Sequence, residues 1–285
     1  MQAEQLLKEG RLAEALDALK EQVRKKPADA KLRVFLFQLQ CVLGDWDRAL
    51  NQLNVVRDMD PSSMLLAAMY GPALQCEALR KEIFEGKRSP VVFGEPEEWM
   101  GLAVQACQIE AQGKIDEAAA LREKAFDAAP TTSGKLNDKP FEWIADADMR
   151  MGPMFEAVIN GSLYWVPFQH VHAMVFEKPT DLRDMVWAVA TVTWTNGGEA
   201  GALMPVRYPG SETSDDNQIK LSRKTEWVEA QGGVQFGLGQ RIIATDEGEY
   251  PILEVQQIMM DNEIVEDKKS DGPSEQASSV DLTSG

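Results

Sequence analysis

Three segments of this chain repeat the same spacing of glycine, alanine and proline. The second copy lies 34 residues after the first, and the third lies 69 residues after the second. A period of 34 residues is that of tetratricopeptide-type (TPR) repeats, in which each repeat is a pair of helices. The sequence therefore predicts a stack of helical hairpins. The three copies contain Gly10, Ala15 and Pro27, then Gly44, Ala49 and Pro61, then Gly113, Ala118 and Pro130.

Each repeated residue has a mechanical role in such a hairpin. Glycine permits a tight reversal after the first helix, and the small alanine lets two helices approach closely. Proline ends the second helix, because it has no N–H and disfavours helix in the residue before it. Apolar residues three and four positions apart, such as Leu32, Leu36 and Leu39, favour helices in this region. We predict that residues 1–132 form a TPR-like α-helical domain, with an atypical helix over residues 64–84.

The periodicity changes near residue 140, where strand-like runs replace the helical pattern. The dipeptides Asn160-Gly161 and Asn196-Gly197 each lie between two such runs. Asn-Gly suits the two positive-φ positions of a tight hairpin turn, so each dipeptide predicts a hairpin. Six or so strands joined in this way within about 120 residues predict a small antiparallel β-rich domain, either a curled sheet or a barrel-like fold.

The expected fold is therefore multidomain, with an α-helical repeat domain followed by a β-rich domain. We expect a linker over residues 133–140 and the β-rich domain over residues 141–260. A short helical turn opened by Thr180 or Asp181 should interrupt the strands. The tail, residues 261–285, is polar, rich in Ser, Asp and Glu, and aperiodic, so we expect it to be disordered.

The net charge of −17 restricts the classes of partner. Of these net negative charges, 14 lie after residue 139. Such a field repels phosphate backbones and disfavours nucleic acid, whereas it favours a basic or neutral protein surface. No apolar run approaches the length of a membrane helix, and the polar start carries no apolar core of a signal peptide. We therefore expect a cytoplasmic protein that does not enter a membrane.

Candidate catalytic side chains are few. His170 and His172 would share one face of a strand, but a zinc site needs a third or fourth ligand, so a structural or surface role is favoured. Asp146 and Asp148 resemble a carboxylate pair for acid–base chemistry, yet Arg150 follows two residues on. That neighbour favours a salt-bridged structural turn. We expect no enzyme activity, no metal and no cofactor.

Two further sets of residues have plain structural interpretations. Gly237 and Gly239 form a short Gly-x-Gly, but without a third glycine or a following helix they indicate a strand bulge rather than a nucleotide loop. The odd number of cysteines, without a CxxC pair, indicates a reducing compartment and small buried side chains. The cysteines are Cys41, Cys76 and Cys107.

Four stretches of the second half resemble a known family. They are WIADADMRMGPMFEAVINGSLYWVPF (143–168), DLRDMVWA (181–188), TNGGEAGALMPVRYPGSE (195–212) and GLGQRIIATDEGEYPILEV (237–255). Together they resemble the ImpE/SciE family, also called TagJ, which are accessory proteins of bacterial type VI secretion systems. The resemblance runs from Gln2 to about Met260, and residues 143–168 are its most specific part.

The resemblance implies a non-enzymatic protein with a helical-repeat domain and a β-rich domain. It implies binding to the small sheath subunit TssB, through the N-terminal helix of that subunit, and a link to sheath disassembly by the ATPase ClpV. The alternative is a general TPR scaffold or chaperone with another client, such as a secreted effector. Nothing is implied for residues 261–285, where the chain departs from the family.

Two surfaces are candidates for holding a helical partner. Stacked helical hairpins form a concave face, which suits the apolar side chains of an amphipathic helix, and the β domain could complete that groove. The candidates there are Phe35, Gln38, Trp46 and Trp99. The β domain is the favoured alternative, although its aromatic residues could instead form its core. The candidates there are Trp143, Arg150, Trp165 and Phe168.

Overall fold

The computed structural model describes residues 2–229 and 234–264, and its first half is helical. The helices here are α1 (Gln2–Lys8), α2 (Leu12–Lys25), α3 (Ala30–Leu43), α4 (Trp46–Met59), α5 (Met64–Phe84), α6 (Glu98–Ala111) and α7 (Ile115–Ala128). The pairs α1–α2, α3–α4 and α6–α7 correspond to the three sequence repeats. The atypical helix predicted over residues 64–84 is α5.

The repeated residues occupy the positions that their chemistry predicts. Gly44 follows α3 in the left-handed conformation, with φ of 72°, and donates its N–H to the carbonyl of Cys41. Gly10 and Gly113 adopt similar φ values in the equivalent turns. The three alanines are fully buried, and each proline lies two residues beyond the end of the second helix of its pair. The TPR-like prediction is confirmed.

The second half is built from antiparallel strands. The strands are β1 (Gly134–Leu136), β2 (Lys139–Phe141), β3 (Ile144–Asp146), β4 (Met154–Ile159), β5 (Ser162–Pro167), β6 (Val171–Phe176), β7 (Trp187–Trp194), β8 (Glu199–Pro205), β9 (Thr225–Glu229), β10 (Gln235–Gly239), β11 (Ile242–Thr245), β12 (Gly248–Pro251) and β13 (Gln257–Met260). A short helix, α8 (Asn217–Lys220), follows β8. An eight-stranded sheet has the order β2-β1-β13-β6-β7-β8-β4-β5, and two smaller sheets have the orders β12-β11-β3 and β10-β9.

The antiparallel β prediction is confirmed, with differences in detail. The large sheet is open, with β2 and β5 at its edges, and does not close into a barrel. The strands outnumber the six or so expected, because many are only three to five residues long. The expected short helical turn is present at Leu182–Met185, where Asp181 is the N-cap. Of the tail predicted to be disordered, residues 265–285 lie outside the described residues.

The predicted linker, residues 133–140, instead contributes strands to the large sheet. Strand β1 pairs with β13 and with β2, and Asn137 and Asp138 turn the chain between β1 and β2 with φ of 46° and 67°. Positive φ at both central residues is the geometry of a two-residue hairpin, which Asn and Asp tolerate better than most residues. The Asn-Asp dipeptide was a hairpin signal that the linker prediction overlooked.

Both Asn-Gly hairpins are present, but their turns differ. Asn160 and Gly161 join β4 to β5 with φ of 50° and 79°, as predicted for a two-residue turn. Between β7 and β8, only Gly197 has positive φ, and its N–H donates to the carbonyl of Trp194. Trp194 in turn donates to the carbonyl of Gly198, which makes a loop one residue longer. Such a loop is the next most common hairpin connection.

The helices pack on one face of the large sheet, and the two halves share a core. Along β7, Trp187 and Val189 face a hydrophobic cluster that includes the helices. Ala188 and Ala190 alternate with them and belong to a second cluster within the β half. Because one continuous cluster spans the helices and this face of the sheet, the two predicted domains form one packed body.

Candidate partner-binding surface

Charged side chains buried between the two halves hold them together. Arg80 of α5 donates to both carboxylate oxygens of Glu156 on β4, at 2.7–2.9 Å. Arg241 donates to the same carboxylate at 2.6 Å and also pairs with Asp146. Burial acts to raise the pKa of Glu156, but Arg80 and Arg241 outweigh it and hold that pKa below its usual value. Because paired buried charges constrain geometry, the cluster fixes the position of α5 on the sheet.

The turns of the first two repeats also contact the β half. The Arg207 guanidinium donates to the carbonyls of Cys41 and Val42 at the end of α3, at 3.1 and 2.6 Å. Near the turn after α1, the Asn217 side chain donates to the carbonyl of Gly10 at 2.8 Å. The last carbonyls of a helix carry partial negative charge, so a guanidinium is a suitable partner there. These contacts leave α3 covered by the β half.

Two of the four candidate residues on the predicted helical concavity are buried, and the other two are half-buried. Trp99 and Gln38 are buried, and the Gln38 amide donates to Asp181 of the β half at 3.4 Å. Trp46 is half-buried against Trp187, with ring centroids 6.0 Å apart, and Phe35 is half-buried as well. The face of α3 expected to be open toward a partner packs against this chain's own β half.

Two of the four β-domain candidates are interior. Trp165 is fully buried against Phe84, with centroids 5.6 Å apart, and Phe168 is buried against Phe155 at 5.0 Å. Both residues therefore belong to the core, which is the alternative considered for these aromatics. Trp143 is 42% exposed and lies on the surface.

Arg150 is partly buried, and a carboxylate and two rings hold it in place. Its guanidinium donates to Asp148 at 2.8 Å and lies over the rings of Phe84 and Phe236, 4.9 and 4.5 Å from their centroids. Asp148 also accepts from the N–H of Gly237 at 3.0 Å. This is the salt-bridged turn expected of the Asp-Arg pair. Both carboxylate oxygens of Asp148 therefore accept hydrogen bonds from the same chain.

The other candidate catalytic side chains, Asp146, His170 and His172, also contact groups of the same chain. Asp146 pairs with Arg241, and burial raises the pKa of Asp146 to about 6. Ring nitrogens of His170 and His172 lie 3.0 and 2.7 Å from the backbone carbonyls of Phe93 and Asn262. Across residues 2–229 and 234–264, no three His, Cys, Asp or Glu side chains gather in a metal-binding group.

The three cysteines are buried free thiols, as the sequence predicted. Burial raises the pKa of Cys76 to about 11 and that of Cys107 to about 12. A raised pKa keeps a thiol protonated and unreactive.

A helix long and apolar enough to cross a bilayer does not occur in the part of the chain that the structure describes.

The first half of α5 presents an uncharged, apolar surface. No charged residue occurs from Pro61 to Cys76 in a chain with 26% charged residues. Leu65 is 83% exposed and is the most exposed large apolar side chain among the described residues. Met64 and Met69 are 61% and 40% exposed. Exposed apolar residues grouped in this way are typical of interaction sites.

Two adjoining cavities separate this surface from the sheet. One, of about 350 Å³, lies between Leu65 and Met69 of α5 and Val189 of β7, with residues 177–180, 183 and 184 at its rim. The other, of about 270 Å³, lies between α5 and strands β4 and β8. We call the two cavities together the α5 groove. It is lined chiefly by Leu65, Ala68, Met69 and Pro72 of α5, by Val158 and the Asn160-Gly161 turn, and by Ala188, Val189, Gly201, Ala202 and Leu203.

The residues on one side of the α5 groove have small side chains or none. Gly201 of β8 is exposed, and a Cβ built on it would meet no atom within 4 Å. Ala68 lies across the same cavity on α5. Pro72 has no N–H, so the carbonyl of Ala68 lacks the donor that the fourth residue along a helix normally supplies. On this side the groove therefore offers small apolar residues.

The sequence predictions did not include any residue of the α5 groove. Two signals pointed to it: the uncharged run from Pro61 to Cys76, and the departure of residues 64–84 from the repeat. Neither signal shows which face of the helix is exposed. That depends on contacts of α5 with Glu156 and Trp165, which lie far along the chain.

Comparison with known proteins finds relatives of both halves. Residues 138–259 match the profile of the family described as ImpE protein, and residues 6–69 match that of a tetratricopeptide repeat. The type VI secretion system accessory component TagJ from Pseudomonas aeruginosa is 45% identical over 258 residues, which is 90% of each chain. Protein VPA1032 from Vibrio parahaemolyticus, known from an X-ray crystal structure, is 26% identical with a TM-score of 0.82, over 91% of this chain and 97% of that one.

Proposed function

Because this chain belongs to the ImpE family, we propose that it is an accessory adaptor of a bacterial type VI secretion system. Its client in this proposal is the small sheath subunit TssB, bound through the N-terminal amphipathic helix of that subunit. Binding TssB would connect the protein to the disassembly of the sheath by the ATPase ClpV. The relative from Pseudomonas aeruginosa carries the name of an accessory component of such a system, which supports this role.

The observation that best supports helix binding is the apolar stripe on α5. Leu65, Ala68, Met69 and Pro72 follow the spacing i, i+3, i+4, i+7 and border an open groove. Grooves of this kind bind the apolar face of an amphipathic helix. Contacts of α3 with the β half favour the α5 groove over the predicted TPR concavity.

The arrangement of polar groups favours an adaptor over an enzyme. Asp146, Asp148 and Arg150 are tied into buried ion pairs, and the cysteines are buried thiols. A catalytic group must reach a substrate, and these side chains are occupied by neighbours in the same chain. We further propose that the protein works in the cytoplasm, in keeping with three free cysteines.

The proposal is tested by capture of purified TssB. Tagged full-length protein is mixed with intact TssB, or with TssB trimmed of its N-terminal helix and shown by circular dichroism to stay folded. We expect capture of intact TssB and loss of capture after trimming. Equal capture of the trimmed subunit would contradict the helix-binding mechanism.

The same preparation addresses the alternative of a general TPR scaffold or chaperone. In that case the protein would fail to capture TssB and would co-purify from its host with another client, such as a secreted effector. Gene neighbourhood gives a second readout. A type VI secretion cluster beside the gene supports the adaptor, and an unrelated operon supports the scaffold.

A further inference from the structure

We infer that the α5 groove is the surface that holds the partner helix, and that its occupant is an amphipathic helix with an apolar stripe and basic flanks. This inference rests on the proposed function and adds to it the location of the binding site. It differs from both surfaces that the sequence suggested, which were the TPR concavity and the aromatic residues of the β domain.

The spacing of the groove residues suits helix packing. Leu65, Met69 and Pro72 form a ridge along α5, and rows of side chains three and four apart are the ridges that interlock when two helices pack. The sheet supplies the opposite wall through Val189 and Leu203. A helix lying between these walls would cover Leu65, which is 83% exposed without a partner.

Small residues allow the occupant to approach closely. A Cβ at Gly201 would meet no atom within 4 Å, and glycine in a strand often marks a place where another backbone comes near. Ala68 and Ala202 line the same cavity.

The net charge of the chain favours a basic helix as the occupant. The floor of the groove is uncharged, and the charges at its rim balance, with Glu177 and Asp184 beside Lys178 and Arg183. The chain as a whole carries a net charge of −17, so lysine and arginine on the flanks of a helix would be attracted. A second copy of this chain is a poorer occupant, because two chains that each carry a net charge of −17 repel one another.

Two substitutions test the groove without disturbing the core. Gly201→Gln places a side chain in open space at a backbone conformation that any residue adopts, and so obstructs the groove. Leu65→Asp puts a charge on the exposed stripe. Their matched controls are Gly101→Gln, at an exposed helical glycine with open space, and Ala78→Asp, at an exposed position further along α5.

The probe is a fluorescent synthetic peptide of the N-terminal helix of TssB, titrated with the full-length protein. We expect Gly201→Gln and Leu65→Asp each to weaken binding at least tenfold, with an unchanged melting temperature. Gly101→Gln and Ala78→Asp should bind as the unsubstituted protein does. Gln75→Asp should also bind normally, because Gln75 lines a neighbouring cavity between α4 and α5 and neither of the two cavities of the α5 groove.

The possible failures are distinguishable. If the unsubstituted protein does not bind the peptide, the proposed function fails and this inference fails with it. If the peptide binds and both groove variants bind normally, the proposed function stands and the α5 groove is not the site. Loss of binding in Gln75→Asp alone would place the helix on the other side of α5, which also overturns the inference.

Discussion

The first two repeats and the β half are stabilised by different arrangements of charge. In the first two repeats, ion pairs such as Arg11–Glu14 and Arg48–Asp45 lie at the surface and apolar packing fills the interior, whereas the third repeat contains one buried pair, Arg122–Glu110. In the β half, Asp146, Glu156 and Arg241 are buried and form a cluster that extends to Arg80 of α5. The difference shows that contacts between residues close in sequence are enough to define these repeats. Polar contacts between residues far apart in sequence hold the β half against them.

Helix α5 takes part in both kinds of structure. Its second half carries Glu77 and Arg80, which are buried, and the Trp187 indole donates to Glu77 at 2.9 Å. Its first half carries Leu65 and Met69, which are exposed beside the sheet. One end of the helix therefore anchors it to the β half, and the other end presents an apolar surface at a fixed distance from the strands.

The largest expected effect concerns the buried cluster. Glu156→Ala leaves Arg80 and Arg241 without a shared carboxylate, and breaking a buried pair costs about 3–5 kcal/mol. Urea unfolding of the full chain measures this loss. As a control, Glu14→Ala removes an exposed partner of Arg11 and should leave stability unchanged. Equal effects of the two substitutions would remove the contrast between the halves.

The next effect concerns the repeat turns. Gly44→Ala forces alanine to φ of 72° and brings its Cβ within 2.6 Å of the Glu212 side chain, so we expect a loss of about 2 kcal/mol. Gly113→Ala has a similar φ but no atom within 4 Å, so we expect a loss of about 1 kcal/mol. Thermal unfolding compares them. Equal losses would show that the β half does not restrict the turn at Gly44.

The third effect concerns binding rather than folding. Leu65→Ala should weaken binding of the TssB peptide by about 1–2 kcal/mol, because truncating a central apolar anchor removes its contact. Trp143→Ala removes the exposed tryptophan of the β half and should leave affinity unchanged. Isothermal titration calorimetry measures both. A loss confined to Trp143→Ala would move the site from α5 to the β half.

The smallest effect is a gain in stability within the helical half. Gly101 lies inside α6, is exposed and has open space around its Cβ position. Gly101→Ala should therefore stabilise the protein by about 0.5–1 kcal/mol, since glycine is a poor helix residue. Thermal unfolding measures the gain. A loss of stability would mean that α6 has packing constraints beyond its own local sequence.

The sequence predicted best what is determined locally. The positions of Gly44, Ala49 and Pro61 follow from the geometry of one helical hairpin, and the hairpin at Asn160-Gly161 follows from its own two residues. The strands in residues 133–140 were equally local in origin. Asn137 and Asp138 form the turn between them, and this dipeptide is a weaker hairpin signal than Asn-Gly.

The sequence could not predict how the halves meet. Gln38 contacts Asp181, and Arg207 contacts Val42, through pairs separated by 143 and 165 residues. Such contacts decide which apolar face of a helix is covered, and periodicity cannot reveal them. The aromatic residues Trp165 and Phe168 were candidate anchors because they are dense in sequence, but that density reflects the core.

The most direct test of the account maps where the helix of TssB lies. A photoreactive phenylalanine analogue is placed at Leu65 or at Trp143 of the full-length protein, which is then irradiated with the TssB peptide and analysed by mass spectrometry. Both positions are exposed, so either can report a bound peptide. The account predicts a crosslink from position 65 and none from position 143. A crosslink from position 143 alone would contradict it.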